Sequence, residues 1–144
     1  MKYAAKKVFL LFLVWILVGT GCASLETTKT EEALPDLKIL TRQAEVAVAF
    51  EGATLESGER QFLEKVSAKE PSHLRYLDSK GYKTRVAIMN GHAVLLLCTP
   101  DGKRALFETI ACAHKKSKRH KDASIPMACE FTYSQDEIAE LCDE

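Results

Sequence analysis

The chain has 144 residues, 47% of them hydrophobic and 28% charged, with Lys plus Arg equal to Asp plus Glu. That balance excludes the strongly basic footprint of a nucleic-acid binder, and the apolar content excludes a chain too polar to fold. The length is that of one domain with a genuine core.

Lys2, Lys6 and Lys7 stand at the start without an acid, residues 8–18 are unbroken apolar, and Gly19, Thr20 and Gly21 precede Cys22. A basic start, a short apolar run and a small-residue end form the pattern of a cleaved export signal. The run of 11 residues is short of the ~20 that span a bilayer. The stretch Val18-Gly19-Thr20-Gly21-Cys22 resembles the lipobox of bacterial lipoproteins. It departs from it at Gly19, where the family prefers Leu, and Gly21-x-Ala23 also suits ordinary signal peptidase. The resemblance implies loss of residues 1–21, lipidation of Cys22 with acyl chains such as palmitate, and anchoring of an exported chain to a membrane. Ala23 and Ser24 lack the Asp that retains some lipoproteins on the inner membrane, so the implied address is the outer membrane, facing the periplasm.

Of the five cysteines, Cys22, Cys98, Cys112, Cys129 and Cys142, acylation would remove the odd one and leave an even set in an oxidising compartment. Three lysines leave with the signal, which takes the formal charge from zero to −3. Residues 22–35 read as the lipidated end and a polar tether, and residues 36–144 as one small domain.

Within that domain, Leu37, Leu40, Ala44 and Ala47 predict a helix from Asp36 to about Phe50, stopped by Gly52. Val46, Val48 and Phe50 alternate as a strand would. With Leu55 and Phe62-Leu63 they resemble the opening of the peptidoglycan-binding domain of outer-membrane protein A. That family's Gly-His-Thr-Asp strand end is not matched, since Ala93 follows Gly91-His92, and its helix motif has no counterpart, so the segment is read as helix. A second helix is predicted over residues 57–68 with Phe62, Leu63 and Val66 as its stripe. A third is predicted over 72–80, with Ser72 as N-cap and Gly81 as the stop.

Residues 82–110 predict a three-stranded antiparallel meander. Asn90-Gly91 opposes Met89 to His92 and Val86 to Leu95 in a two-residue hairpin. Thr99-Pro100-Asp101-Gly102-Lys103 predicts a three-residue loop that opposes Leu97 to Ala105 and Leu95 to Phe107. One face is then Val86, Ile88, Ala93, Leu95, Leu97, Ala105 and Phe107, all apolar, and register follows that face. The other carries Val94, Leu96, Cys98 and Leu106 beside Arg85 and Glu108, half apolar and in need of cover. Residues 113–125 read as a basic loop, 129–133 as a short strand, and 135–142 as a helix opened by the capping box Ser134-x-x-Glu137. The class is α+β: two or three N-terminal helices, the meander, a short strand and a last helix, with two disulfides.

The meander separates Cys98 from Cys112 by roughly 20 Å, far beyond the ~7 Å of bridged Cα atoms. Two pairings remain: Cys98–Cys142 with Cys112–Cys129, which is preferred because it encloses the basic loop and ties the last helix to the half-apolar face, or Cys98–Cys129 with Cys112–Cys142. Lys115, Lys116, Lys118, Arg119 and Lys121 are candidate anion-binding residues for lipid headgroups or an acidic envelope polymer, set against a plain solvated loop. The loop has no interleaved aromatics, which argues against single-stranded nucleic acid. Cys112, His114, His120 and Cys129 match no paired zinc spacing, and disulfides would consume the thiolates, so no metal or other cofactor is expected. His73 and His92 read as isolated, His92 as a solvated side chain beside a turn. No hydrolase, metalloprotease or phosphate-loop motif is present. The expected function is a non-catalytic adaptor or assembly factor for an envelope protein, with an anionic-polymer binder and a small enzyme as alternatives.

Overall fold

A computed structural model describes residues 30–112, 117–119 and 128–142. The chain divides into two compact units, 1–32 and 33–144, and every element below lies in the second. Its architecture is α+β: three helices on one face of an antiparallel sheet, and a strap with a fourth helix on the other. Among the described residues no helix is long and apolar enough to cross a membrane.

Helix α1 spans Leu34–Glu51 and buries Leu37, Leu40, Thr41, Ala44, Ala47 and Val48 along one stripe. Ala33 is fully buried and Leu34 packs on the core, so the folded unit begins before Asp36 and the predicted tether is shorter than expected. Gly52 ends the helix at φ 64°, a left-handed conformation with no penalty for glycine. Val46 and Phe50 point outward while Val48 points inward. Their alternation therefore belongs to two faces of one helix, and a strand at this position is ruled out.

Helix α2 (Glu59–Val66) and helix α3 (Ser72–Ser79) complete the layer. Both are shorter than predicted, and Ser72 is not the N-cap, since Pro71 occupies that position without a side-chain bond. Gly81 does end α3: its N–H donates to Asp78 O at 2.8 Å and that of Tyr82 to Leu77 O at 3.2 Å, the paired bonds of a Schellman cap. Arg60 of α2 holds Asp78 of α3 through two guanidinium bonds of 2.9 and 2.8 Å.

His73 of α3 meets Asp36 of α1 at 2.7 Å, with Glu70 at 3.5 Å. The Asp36 bond raises the His73 pKa above its ordinary value. A raised folded-state pKa stabilises the protein fully below the unfolded value of about 6.5 and loses that contribution as pH rises through the folded value. Asp36→Asn should therefore cost up to about 1 kcal/mol at about pH 6 and less at about pH 9. Urea midpoints for both proteins across that range check this, and a difference that does not change with pH would contradict it.

The sheet has the order β1-β2-β3-β4: Lys83–Met89, His92–Cys98, Ala105–Ile110 and Ser117–Arg119. The first hairpin follows the predicted register, with Met89 opposite His92 and Val86 opposite Leu95. Asn90 and Gly91 take the positive φ values, 50° and 78°, that a type I′ turn requires. The second hairpin is displaced. Thr99 N–H bonds to Arg104 O at 2.9 Å, so its loop is one residue longer than predicted. Leu106 is an extra bulged residue, and Leu97 faces Phe107. The two additions preserve face parity beyond the bulge but exchange Ala105 and Leu106. Ala105 packs with Leu96 and Cys98, and Leu106 with the helix-side core. That core otherwise joins Val86, Ala93, Leu95, Leu97 and Phe107 to α1, α2 and α3.

β4 was predicted as loop. It pairs with β3 through Phe107–Arg119 and Thr109–Ser117. Residues 129–133, predicted as a strand, form none and cross the second face as a strap instead. Helix α4 (Gln135–Cys142) follows, opened by the predicted capping box: Ser134 N–H to Glu137 Oε2 at 2.8 Å and Glu137 N–H to Ser134 Oγ at 3.1 Å.

The disulfides are Cys98–Cys129 and Cys112–Cys142, with Cα separations of 5.8 and 5.3 Å. Cys98 and Cys112 lie in different bridges, as the meander demands, but the preferred set, Cys98–Cys142 with Cys112–Cys129, is overturned. The direction of β4 explains the outcome. It runs from the Thr109 end of β3 toward the Phe107 end, toward the Pro100 turn. Arg119 therefore lies nearer the Cys98 end of the sheet than Ser117 does, and Cys129 is bonded at that end. The strap and α4 then return to Cys112.

Candidate functional site

At the corner of the sheet away from the Pro100 turn, four elements bring their side chains together. β3 ends at Ile110, opposite Val94. The Ala93 N–H therefore lies one residue outside the ladder, and Glu45 of α1 accepts it through Oε2 at 2.7 Å. The other carboxylate oxygen meets His92 Nδ1 at 2.6 Å, with the Glu45 and His92 side chains only 13% and 22% exposed. A carboxylate on Nδ1 fixes the ring and leaves Nε2 as its second functional nitrogen. Continuing the β2–β3 register past Ile110 places Cys112 opposite His92. Cys112 is bonded to Cys142 in the last turn of α4. A ring nitrogen of His92 and the sulfurs of Cys112 and Cys142 all lie within 4.8 Å of one another, and all three residues are partly accessible.

His92 is thus a half-buried, carboxylate-bound imidazole beside a disulfide, not the solvated side chain that its place after a turn suggested. In the oxidised state the two sulfurs hold each other, so the cluster offers no thiolate pair to a metal. Cys112 and Cys129 belong to different bridges, and His114 and His120 lie outside the described residues.

The second polar feature is the fully buried Glu108 on β3. Its carboxylate accepts the Thr132 N–H at 3.0 Å to each oxygen, the Thr132 hydroxyl at 2.6 Å and the Tyr133 N–H at 3.0 Å. A charged acceptor with this many donors is a structural anchor. Burial, with the Glu108 and Glu137 charges nearby, pushes the Tyr133 hydroxyl up to about 12. Arg85 holds the start of the strap: its guanidinium donates to Cys129 O at 3.2 Å, pairs with Glu59 at 3.0 Å and lies 5.5 Å from the Phe131 ring.

Of the anion-binding candidates, Lys115, Lys116 and Lys121 lie outside the described residues, and Arg119 is described only through its backbone in β4. Lys118 is committed: Nζ meets Glu137 Oε1 at 3.2 Å and lies 3.8 Å from the Tyr133 ring centroid. Those contacts tie β4 to α4 and to the strap. Cys22, the lipidation candidate, also lies outside the described residues.

A third feature was not singled out from the sequence. Ile39, Val46 and Phe50 on the outer side of α1 are 40%, 45% and 83% exposed. Spacings of seven and four residues place them on one side of the helix. Comparison with protein-family models, curated proteins and solved structures finds no match to this chain.

Proposed function

We propose that this chain is a lipid-anchored envelope protein whose folded domain is a non-catalytic adaptor, holding a partner envelope protein through the outer side of α1. The observation that carries the adaptor reading is the apolar stripe Ile39–Val46–Phe50, with Phe50 83% exposed. A helix that turns large apolar side chains to both sides has more to bury than its own core accepts, and such exposed groupings mark interaction surfaces. Export is supported by the disulfides: all four cysteines after Cys22 are paired, which suits an oxidising compartment and leaves Cys22 as the odd thiol for acylation. Tethered at Cys22, the domain would present α1 to proteins of the same membrane.

One experiment in two arms tests this. Metabolic labelling with a fatty acid should mark the wild type and not Cys22→Ser, and the variant should leave the membrane fraction; equal labelling would reject the anchor. In the same cells, a photo-crosslinker at Phe50 should yield a discrete adduct that is absent with the crosslinker at exposed Lys69 and lost on adding Val46→Glu. The same products from both positions would reject the adaptor face.

A further inference from the structure

We propose that Cys112–Cys142 is a thiol–disulfide exchange site, with His92 serving the leaving sulfur and Glu45 positioning His92, whereas Cys98–Cys129 is purely structural. The two bridges close nearly equal spans of 31 and 30 residues, but their surroundings differ. Cys98 is fully buried among Leu96 and Ala105, and its partner Cys129 is partly accessible. Cys112 and Cys142 are both partly accessible and share the 4.8 Å cluster with the imbedded His92 imidazole. Exchange needs a sulfur that an incoming thiolate can reach and a leaving thiolate that its surroundings favour. Each bridge has a partly accessible cysteine, but among the described residues only the second has an imidazole beside its sulfurs, whereas Cys98 would leave as a thiolate into an apolar, fully buried setting.

The direction of attack follows from the helix. Cys142 stands in the last turn of α4, where the helix dipole opposes negative charge. Cys112, two residues past the end of β3, carries no such penalty, so it is the better leaving group and Cys142 the sulfur attacked. The substrate class is a dithiol. One of its thiolates attacks Cys142 Sγ, forming a mixed disulfide. The Cys112–Cys142 bond breaks, and its electron pair leaves on Cys112 Sγ, which accepts a proton from protonated His92. The dithiol's second thiol, as thiolate, then attacks the substrate sulfur of the mixed disulfide. Cys142 leaves as a thiolate and takes up the proton that thiol gave to solvent. The dithiol is oxidised to its disulfide, Cys112 and Cys142 are reduced, and His92 recovers its proton from solvent. Glu45 does not touch sulfur; it holds Nδ1 and so fixes the orientation of the ring. The corner of the sheet survives the opening, since Glu45 holds Ala93 and His92 independently of the bridge.

The full chain is equilibrated in glutathione redox buffers, quenched by alkylation and mapped by peptide mass spectrometry, with circular dichroism reporting the fold. Cys112–Cys142 should open at least tenfold more readily than Cys98–Cys129, in protein that is still folded. His92→Gln should shift its equilibrium about tenfold toward the disulfide, about 30 mV for a two-electron couple, and slow its opening by dithiothreitol by a similar factor. Glu45→Gln, which retains an oxygen for Ala93, should shift the equilibrium in the same direction by a smaller factor and stands in should His92→Gln fail to fold. Opening of Cys98–Cys129 first, loss of both bridges only on unfolding, or a potential unmoved by both substitutions would overturn the proposal.

Discussion

Replacing Glu108 by Gln should destabilise the protein by about 2–4 kcal/mol and release the strap before the sheet melts. The carboxylate is fully buried and takes three donors from two consecutive residues, Thr132 N–H, Thr132 Oγ–H and Tyr133 N–H. Hydrogen bonds to a buried charge are worth more than neutral ones, and a donor left without an acceptor pays its desolvation in full. Gln is nearly the same size, so packing is preserved, but one oxygen becomes an NH2 that faces N–H and O–H groups. The loss is local in origin. Thr132 and Tyr133 connect the Cys129 end of the strap to α4, and Tyr133 and Ile138 pack on Val94 and Ile110. Amide exchange at residues 132 and 133 should accelerate more than at Leu95 or Leu97. Urea denaturation gives the total. A loss under about 0.5 kcal/mol, the range of ordinary surface substitutions, would mean that the disulfide, the Arg85–Cys129 bond and the apolar contacts hold the strap without Glu108.

The parts of the fold that were legible in the sequence are those specified by local chemistry. Asn90-Gly91 admits one hairpin geometry, and the β1–β2 pairing follows it residue for residue. Ser134 and Glu137 satisfy each other's backbone donors within a single turn, and the half-apolar sheet face is covered, as its composition required. What was hidden depends on partners distant in sequence. The Pro100 loop and the Leu106 bulge each add a residue. Because two additions restore parity, the apolar face looks equally good in either register, and facing cannot distinguish them. That two-residue slip concealed the site, because only the observed register carries Cys112 to His92. Glu45 was beyond reach for another reason. It joins His92 across a separation of 47 residues, and a lone glutamate on a helix flank carries no signal of its partner. β4 has the sequence Ser-Lys-Arg, with no apolar alternation to announce a strand. Cys129, Phe131 and Tyr133 do alternate, yet the amides of Thr132 and Tyr133 go to a side chain, Glu108, and not to a neighbouring strand.

Removing the Cys98–Cys129 bridge should cost more than removing Cys112–Cys142, although chain entropy predicts equal losses. The spans of 31 and 30 residues each correspond to about 3.5 kcal/mol in the loop-closure model. The difference must therefore arise in the folded state. Cys98 is fully buried, and its bridge lies among Leu96, Ala105 and Phe131, at the point where the strap first meets the sheet. Replacing both residues by Ala removes the fully buried Cys98 sulfur and the partly buried Cys129 sulfur as well as the crosslink, and deletions of this kind add a cavity cost to the entropic one. A total loss of about 4–5 kcal/mol is expected. At the other bridge both cysteines are partly accessible, solvent can fill the space, and the loss should stay near or below the entropic figure. Urea denaturation of Cys98→Ala/Cys129→Ala and Cys112→Ala/Cys142→Ala, each with the other bridge confirmed intact, gives the comparison. Equal losses would show that burial of Cys98 adds nothing to its crosslink. A larger loss at Cys112–Cys142 would mean that the fold relies on the accessible bridge, and that the anchoring of α4, not the start of the strap, limits stability.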